Sequence, residues 1–540
     1  MTTFLARTTV MAPVETSSRP GSHPTLTGTT PTRFSAVDCQ PTLDTRPPRS
    51  ALGLRRPSAG ASAAEHAFHR ATAAPDVSKW LHHVKAAAGC TSPVRLSGEM
   101  WTVDRETGVL LSRRHTTDLP DAAIYKPCGN RRATVCLSCA ERYRQDAYQI
   151  LRSFLVGGKG IPVTVAQHPA VFATFTAPSF GTVHTRHVDR HTCIRRNRCD
   201  CRPEPCHARR NATVCPHGTV IACYARHDPT DPRLGQPLCP DCYDHHAQVV
   251  WNNHARELWR RTTTAVTRAV RARARQLGHP ASSVRLSYGN VAEMQRRGVV
   301  HFHAVIRLDG HHPDVDELLP PPEGLGVDDL VDALTHAVTV TRFHTGPHPA
   351  NPNGWPITWG DPSKGFDVRP ITVTGTGEVT DSMAAGYLAK YATKATEITG
   401  HTSRRLASDT IGLYANPDGT HPERLIDACW TLGNHRDWAG LRRWAHMLGF
   451  GGHFLTKSRR HVVTFQLLRD NRIVYRRQAE APPGTDATEP DTTLVVNFLT
   501  FVGAGWHTTG DALLANTAAA LARERQAAAR DALTDEHPVP

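Results

Sequence analysis

"SSVRLSYGNVAEMQRRGVVHFHAVIRLDG", residues 282–310, holds two alternating runs on either side of Arg296-Arg297-Gly298. A glycine in a three-residue connection supplies the left-handed backbone that such a turn needs, so the stretch predicts a β-hairpin. In its second strand Phe302, Ala304, Ile306 and Leu308 share one face, suited to a core under helices. His301, His303 and Val305 share the other. With Gly298 closing the turn, Gln295 stands opposite Val299 and Glu293 opposite His301, and opposed residues point to the same side. Two imidazoles about 7 Å apart and a carboxylate thus gather on one face. That donor set suits Mg²⁺ or Mn²⁺ with open water positions for phosphate chemistry. Zinc suits it less, since no cysteine is near in sequence. A lone His-x-His on a half-exposed strand would merely meet solvent; Glu293 turns it into a ligand set.

A second unusual stretch is "MAAGYLAKYATKATE" (383–397), inside a helix expected over 382–397 with Asp381 or Ser382 as its cap. Tyr387, Lys390, Tyr391 and Lys394 fall at i, i+3, i+4 and i+7, hence on one stripe. Two phenols alone would read as core or interface filler. Two of the chain's eight lysines on the same stripe make burial costly and a phosphodiester a natural partner. A phenol is a weak nucleophile near neutrality unless positive charge favours its anion, and lysines supply that charge.

The cysteines form further sets. Cys128, Cys136 and Cys139 make a knuckle one ligand short, which Cys193 or a nearby histidine would complete. Cys199, Cys201, Cys206, Cys215, Cys223, Cys239 and Cys242 offer more thiols than one Zn²⁺ needs. Cys215, Cys239 and Cys242 are the safest members of a tetrahedral structural site, Cys201 is a further zinc candidate, and spacing leaves the pairing open, with His207 or His217 able to serve. Fourteen cysteines in a chain with no secretory signal read as metal ligands rather than disulfides.

Together these stretches resemble the HUH endonuclease superfamily, in which U is a hydrophobic residue, as in His301-Phe302-His303. "FATFTAPSF" (172–180) is similar to its first, strand-forming motif, and "YLAKYATK" (387–394) to its two-tyrosine motif, in the family's order. With "CGNRRATVCLSC" (128–139), "CPHG" (215–218) and "LCPDC" (238–242), residues 77 to 470 resemble replication initiators of actinobacterial plasmids and integrative elements. The resemblance implies an α+β fold: an HUH core with a central antiparallel sheet packed by helices, a Cys-rich zinc-binding insert and a helical C-terminal region. It implies a rolling-circle initiator that binds the double-strand origin and single-stranded DNA and nicks one strand. The implied roles are Tyr391 for first nicking, Tyr387 as second nucleophile, Lys390 and Lys394 beside them, and Glu293, His301 and His303 for the catalytic metal. Two alternatives remain, a two-tyrosine HUH transposase and a zinc-stabilised DNA-binding regulator without nuclease activity.

Composition is compatible with a polyanionic partner: the net charge is +14. In "WTLGNHRDWAGLRRWAHMLGFGGHFLTKSRR" (430–460) tryptophans are interleaved with Arg442, Arg443, Arg459 and Arg460, candidate phosphate contacts, while Trp438 and Trp444 are expected in a helical core. No G-x-x-x-x-G-K-[ST] occurs, so strand separation is expected from a host helicase and extension from a host polymerase. No apolar run is long enough for a membrane helix, and a cytoplasmic location is expected.

The expected divisions are a disordered Ser/Thr/Pro-rich leader (1–75), an N-terminal region (76–165) and a discontinuous core (166–184 and 246–400). A zinc insert (185–245), a basic extension (401–475), and a linker with a terminal helix (476–540) complete the chain.

Overall fold

The structure, a computed structural model, describes residues 62–73, 77–188, 203–209, 211–372, 380–393, 399, 405–458, 463–480 and 493–536. Lys394, Cys193, Cys199, Cys201, Arg459, Arg460 and the leader through residue 61 lie outside them.

The described residues open with helices α1 (Ala63–Ala73) and α2 (Val77–Val84), followed by strands β1 (Val94–Asp104), β2 (Leu110–His115) and β3 (Ile124–Lys126). α1 falls within the last residues of the stretch expected as a leader. It opens on a reciprocal cap, Glu65 N donating to Ser62 Oγ and Ser62 N to the Glu65 carboxylate, which satisfies amides that a helix start leaves open. α3 (Leu137–Val156) follows the first cysteines, and β4 (Ala170–Phe175) is the strand expected before the insert.

α4 (His245–Gln276) starts six residues before the expected Trp251 because Asp244 caps it, its side chain accepting from Ala247 N. It ends just before Gly278, whose φ of +84° stops the helix. The hairpin follows as β5 (Val284–Met294) and β6 (Val300–His312), extended by β7 (Val315–Leu319). Then come α5 (Val327–Val340), β8 (Arg342–His344), β9 (Pro356–Thr358), α6 (Pro362–Gly365), β10 (Phe366–Pro370) and α7 (Asp381–Tyr391). The C-terminal part holds α8 (His421–Leu432), α9 (Ala439–Arg443), β11 (Leu455–Lys457), α10 (Phe465–Glu480), β12 (Thr493–Ala504) and α11 (Thr509–Glu536).

Six strands form the central antiparallel sheet, in the order β10-β4-β6-β5-β11 with β7 on β6. Its two faces bury different helices. Phe302, Ala304, Ile306 and Leu308 join Val250, Leu258 and Val266 of α4 and Leu330, Leu334 and Ala337 of α5 in the main core. On the opposite face Val291 and Val305 pack with Leu151, Phe154 and Leu155 of α3 and Ala384, Ala385, Leu388 and Ala392 of the α7 segment. The small residues of α7 let that helix lie close to the sheet, leaving Tyr387 and Tyr391 at the rim of the packed surface.

The hairpin register is the one expected: Glu293 opposes His301, and Gly298 turns the chain at φ +75° with its amide donating to Gln295 O. The turn is anchored from behind. Asn252 Nδ2 donates to Gly298 O at 2.9 Å while its Oδ1 accepts from Val300 N at 3.0 Å. Arg297 O accepts from Gln248 Nε2 and from His421 Nε2, each at 2.9 Å. A Cβ on Gly298 would stand 2.7 Å from Leu448 Cδ1 and 2.8 Å from Leu425 Cδ1. Both leucines are fully buried and cannot swing away. Gly298→Ala is therefore expected to destabilise the fold by about 2–4 kcal/mol through overpacking and the left-handed φ. A urea midpoint within error of the parent would contradict this.

The second sheet joins distant parts of the chain. β1 is flanked by β2, β3 and β12, with Val94 opposite Ala504 and Asp104 opposite Thr493. The C-terminal segment thus supplies a strand to the N-terminal region where a linker and helix were expected. α11 follows it back, Ala515 packing with Trp80, Val84 and Tyr125. No helix of the described residues is long and apolar enough to cross a membrane.

Buried histidines make this fold acid-sensitive. Burial holds His421 down to about 4 and His446 down to about 4, and burial with His421 as neighbour holds His245 low as well. Their unfolded forms take protons near pH 6.5, so between pH 6.5 and about 4 the unfolded state binds more protons. Stability is full above pH 6.5 and falls as the pH drops through that window. Chemical denaturation at pH 7.5, 6 and 5 should show a steadily falling midpoint; a flat profile would contradict it.

Candidate active site

Glu293, His301 and His303 meet as the hairpin pattern requires, each with a ligand atom within 4.8 Å of the others. His303 is 3% exposed, and its Nε2 lies 3.0 Å from Glu293 Oε2. Its Nδ1 is 3.1 Å from Thr174 Oγ1 on β4, the residue directly opposite it in the sheet. His301 Nε2 lies 3.0 Å from Thr176 Oγ1 and its Nδ1 2.8 Å from Gln295 Nε2; Gln295 Oε1 in turn accepts from Arg297 Nε at 3.0 Å. Burial, then the His303 ring and the Arg297 guanidinium, hold His301 down to about 3, so its imidazole is neutral at physiological pH. A neutral imidazole keeps a lone pair for a cation. These contacts fix the orientation of both rings, as outer-shell partners do for metal-binding histidines.

Thr174, Thr176 and Gln295 are functional candidates that the sequence reading missed. The signal was present: in "FATFTA" Phe172, Thr174 and Thr176 alternate onto the face of the histidines, while Ala173, Phe175 and Ala177 enter the core.

The tyrosines stand on the same side of the sheet as the imidazoles. The His303 ring centroid lies 5.1 Å from that of Tyr387 and 5.4 Å from that of Tyr391, and the two phenol rings are 4.4 Å apart. Phe172 packs edge-on to Tyr387 at 5.6 Å. Burial, then a hydrogen bond to Tyr391 and the nearby Glu293, raise the Tyr387 phenol above its usual range. The helix is shorter than expected, ending at Tyr391, and its cap is Thr380, whose side chain accepts from Met383 N, rather than Asp381 or Ser382. The hydroxyl of Thr380 faces the first-turn amides because that residue still has extended backbone. Lys390 is exposed, with Nζ 6.0 Å from the Tyr391 ring centroid, so the stripe faces solvent and its cation needs no buried partner.

Among the described residues, nine cysteines and three histidines sort into three four-ligand groups, each with ligand atoms within 4.8 Å. Among the described residues Cys128, Cys136 and Cys139 are completed by Cys90 rather than by a histidine, and the other expected partner, Cys193, lies outside them. Cys90 is carried in by the turn after α2, a placement that no local spacing reveals. The loop of this knuckle also reaches the tyrosines: Arg131 Nη1 donates to Ala392 O at 3.0 Å, capping the end of α7, and its guanidinium lies 3.5 Å from the Phe454 ring centroid. Cys215, Cys239 and Cys242 are joined by His217, whose Nδ1 is 3.2 Å from Cys242 Sγ. His207 is engaged elsewhere, its Nε2 2.8 Å from Val183 O. His184, Cys206, Cys223 and His227 form the third group.

Of the four candidate phosphate-binding arginines, Arg442 and Arg443 lie among the described residues. Arg442 lies over the Trp430 ring at 4.8 Å and donates to Trp430 O, whereas Arg443 is exposed, 5.9 Å from the Trp444 ring. Trp438 is buried and Trp444 half-buried against the main core, as expected.

The sequence that builds this sheet lies within the span matched by a family of replication proteins. The profile of that family, described as "Replication initiator protein, pSAM2", matches residues 76–520, and the chain belongs to it. It is similar to a replication initiator protein of Streptomyces ambofaciens, 39% identical over 481 residues, which cover 86% of this chain and 95% of that protein. No solved structure matches the chain.

Proposed function

We propose that this replication initiator is an HUH-type endonuclease that nicks one strand of a double-strand origin, with a tyrosine as nucleophile. The observation that carries the reading is the placement of Tyr387 and Tyr391 over His303, on the sheet face that also holds His301 and Glu293.

Glu293, His301 and His303 fit a resident divalent cation, Mg²⁺ or Mn²⁺: two imidazoles and a carboxylate leave open positions for phosphate oxygens and water. Such an ion supplies Lewis-acid polarisation of the scissile phosphate and neutralises charge on its oxygens. The chain's own groups do the rest. The Tyr391 oxygen attacks phosphorus as its proton leaves to solvent, the bond from phosphorus to the 3′ oxygen breaks, and that oxygen takes up a proton. The products are a 5′-phosphotyrosine and a free 3′-OH primer. One phosphodiester replaces another, so rejoining needs no ATP. Lys390, with Lys394 beyond it in sequence, offsets charge near the phosphoryl group. Tyr387, held protonated and hydrogen-bonded to Tyr391, is the second nucleophile for the regenerated junction. The Cys90–Cys128–Cys136–Cys139 and Cys215–His217–Cys239–Cys242 groups are structural Zn²⁺ sites of a DNA-facing module, and Arg443, with Arg442, Arg459 and Arg460, contacts DNA phosphates. A host helicase and polymerase complete replication.

The test is incubation of the full chain with Mn²⁺ and a supercoiled plasmid carrying its neighbouring origin. A site-specific nick with protein linked to the 5′ end supports the reading. Origin binding with no cleavage in Mg²⁺ or Mn²⁺ overturns it and leaves a DNA-binding regulator.

A further inference from the structure

We propose that His184, Cys206, Cys223 and His227 form a separate Cys₂His₂ zinc site that braces the turn of the Glu293–His301–His303 hairpin. The argument starts from distances. With Zn–S near 2.3 Å and Zn–N near 2.05 Å, a tetrahedral site has edges of about 3.3 Å between nitrogens and about 3.6 Å between nitrogen and sulfur. His184 Nδ1 and His227 Nε2 lie 3.2 Å apart. Cys206 Sγ is 3.8 Å from His184 Nδ1, and Cys223 Sγ is 3.6 Å from His227 Nε2. Four side chains from a segment with almost no regular structure thus mark out the edges of a tetrahedron.

The surroundings are built for a metal. Backbone pairing presents the ligands: His184 pairs with the 235–236 segment, and the Cys206–His207 segment pairs with Cys223 and Ala225. Thr185 N donates to Cys206 Sγ at 3.2 Å, a bond that favours a thiolate. His227 is 1% exposed, and its second nitrogen, Nδ1, is 2.7 Å from Asp231 Oδ2, the carboxylate–histidine pairing that fixes the tautomer of a zinc ligand. Arg233 holds the same carboxylate from outside at 2.9 Å.

From there the connection runs to the hairpin. Arg296 Nη1 donates to Asp231 O at 3.1 Å and its Nη2 to Pro229 O at 2.6 Å. A Cβ on Gly235 would stand 2.7 Å from the Arg296–Arg297 backbone, so the loop lies directly on the turn. Arg296 is flanked by Gln295, which touches His301, and by Arg297. The metal closes a loop of few apolar contacts, and that loop holds the turn.

The inference does not depend on nicking, and its test reads no activity. Zinc bound to the purified full chain should fall by one equivalent in Cys206→Ser/Cys223→Ser. Cobalt reconstitution of the parent should show thiolate charge-transfer absorption that weakens in the variant. Because loss of the site can perturb folding, the parent itself offers a second readout. Cys206 and Cys223 are half-exposed, so alkylation by N-ethylmaleimide should spare them in the zinc-loaded chain and modify them after chelation. Free alkylation before chelation, or unchanged zinc content in the variant, overturns the site. Hydrogen exchange should rise across residues 294–300 in the variant; an unchanged turn overturns the brace.

Discussion

His301→Ala and His303→Ala are each expected to lower origin nicking in Mn²⁺ by about a thousandfold or more while duplex binding stays within a few-fold of the parent. The expectation rests on how few alternatives the site has. His303 Nδ1 is tied to Thr174, leaving Nε2 toward Glu293, and no other histidine or cysteine of the described residues joins this cluster. Removing either ring leaves one imidazole and a carboxylate, too few protein donors to hold an ion in place under a phosphate. Gln295→Ala, which removes only the partner of His301 Nδ1, should have the smaller effect of an orienting group, about 10–100-fold. Gel-based nicking beside a binding titration separates the terms. A His303→Ala protein that nicks at the parental rate would show that the cation site is misassigned.

Tyr387→Phe/Tyr391→Phe is expected to abolish both cleavage and the covalent 5′ adduct, since each substitution removes one oxygen and leaves the ring packing intact. The phenol rings lie 4.4 Å apart, tilted by 49°, and both contact His303, so Phe keeps the aromatic contacts against which α7 is set. Tyr391→Phe alone should lose first nicking, and Tyr387→Phe should retain it but fail at the second transfer. The asymmetry follows from Tyr387, whose phenol burial and its neighbour keep protonated. A double variant that still forms an adduct would move the nucleophile elsewhere.

Much of the candidate centre could be read locally. The Gly298 turn and period-two alternation specify that Glu293 opposes His301 and that the imidazoles avoid the core face, because pairing across a short turn leaves one register. The Tyr387–Tyr391 stripe follows from helical spacing in the same way. The zinc-type groups were only half legible. Cys215, Cys239 and Cys242 were visible as a set, but Cys90 was not, and Cys206 and Cys223 were not separated from the others. A ligand's partner is chosen by distance in the folded chain, and cysteines of equal chemistry carry no mark of it. β12 escaped for a related reason: its partner β1 lies about four hundred residues away, and nothing local to 493–504 announces an N-terminal strand.

The sequence by itself determined the hairpin, its histidine–carboxylate face, the phenol stripe and the core-facing side of β6, since each depends on contacts within a few residues or on the period of one element. Only the tertiary structure decided that the phenols lie over the imidazoles, because the small residues of α7 and the aliphatic face of α3 seat that helix against Val291 and Val305. It alone decided which thiols meet, and that Arg131 and Arg296 tie two of those groups to α7 and to the hairpin turn. Long-range packing brings these groups together.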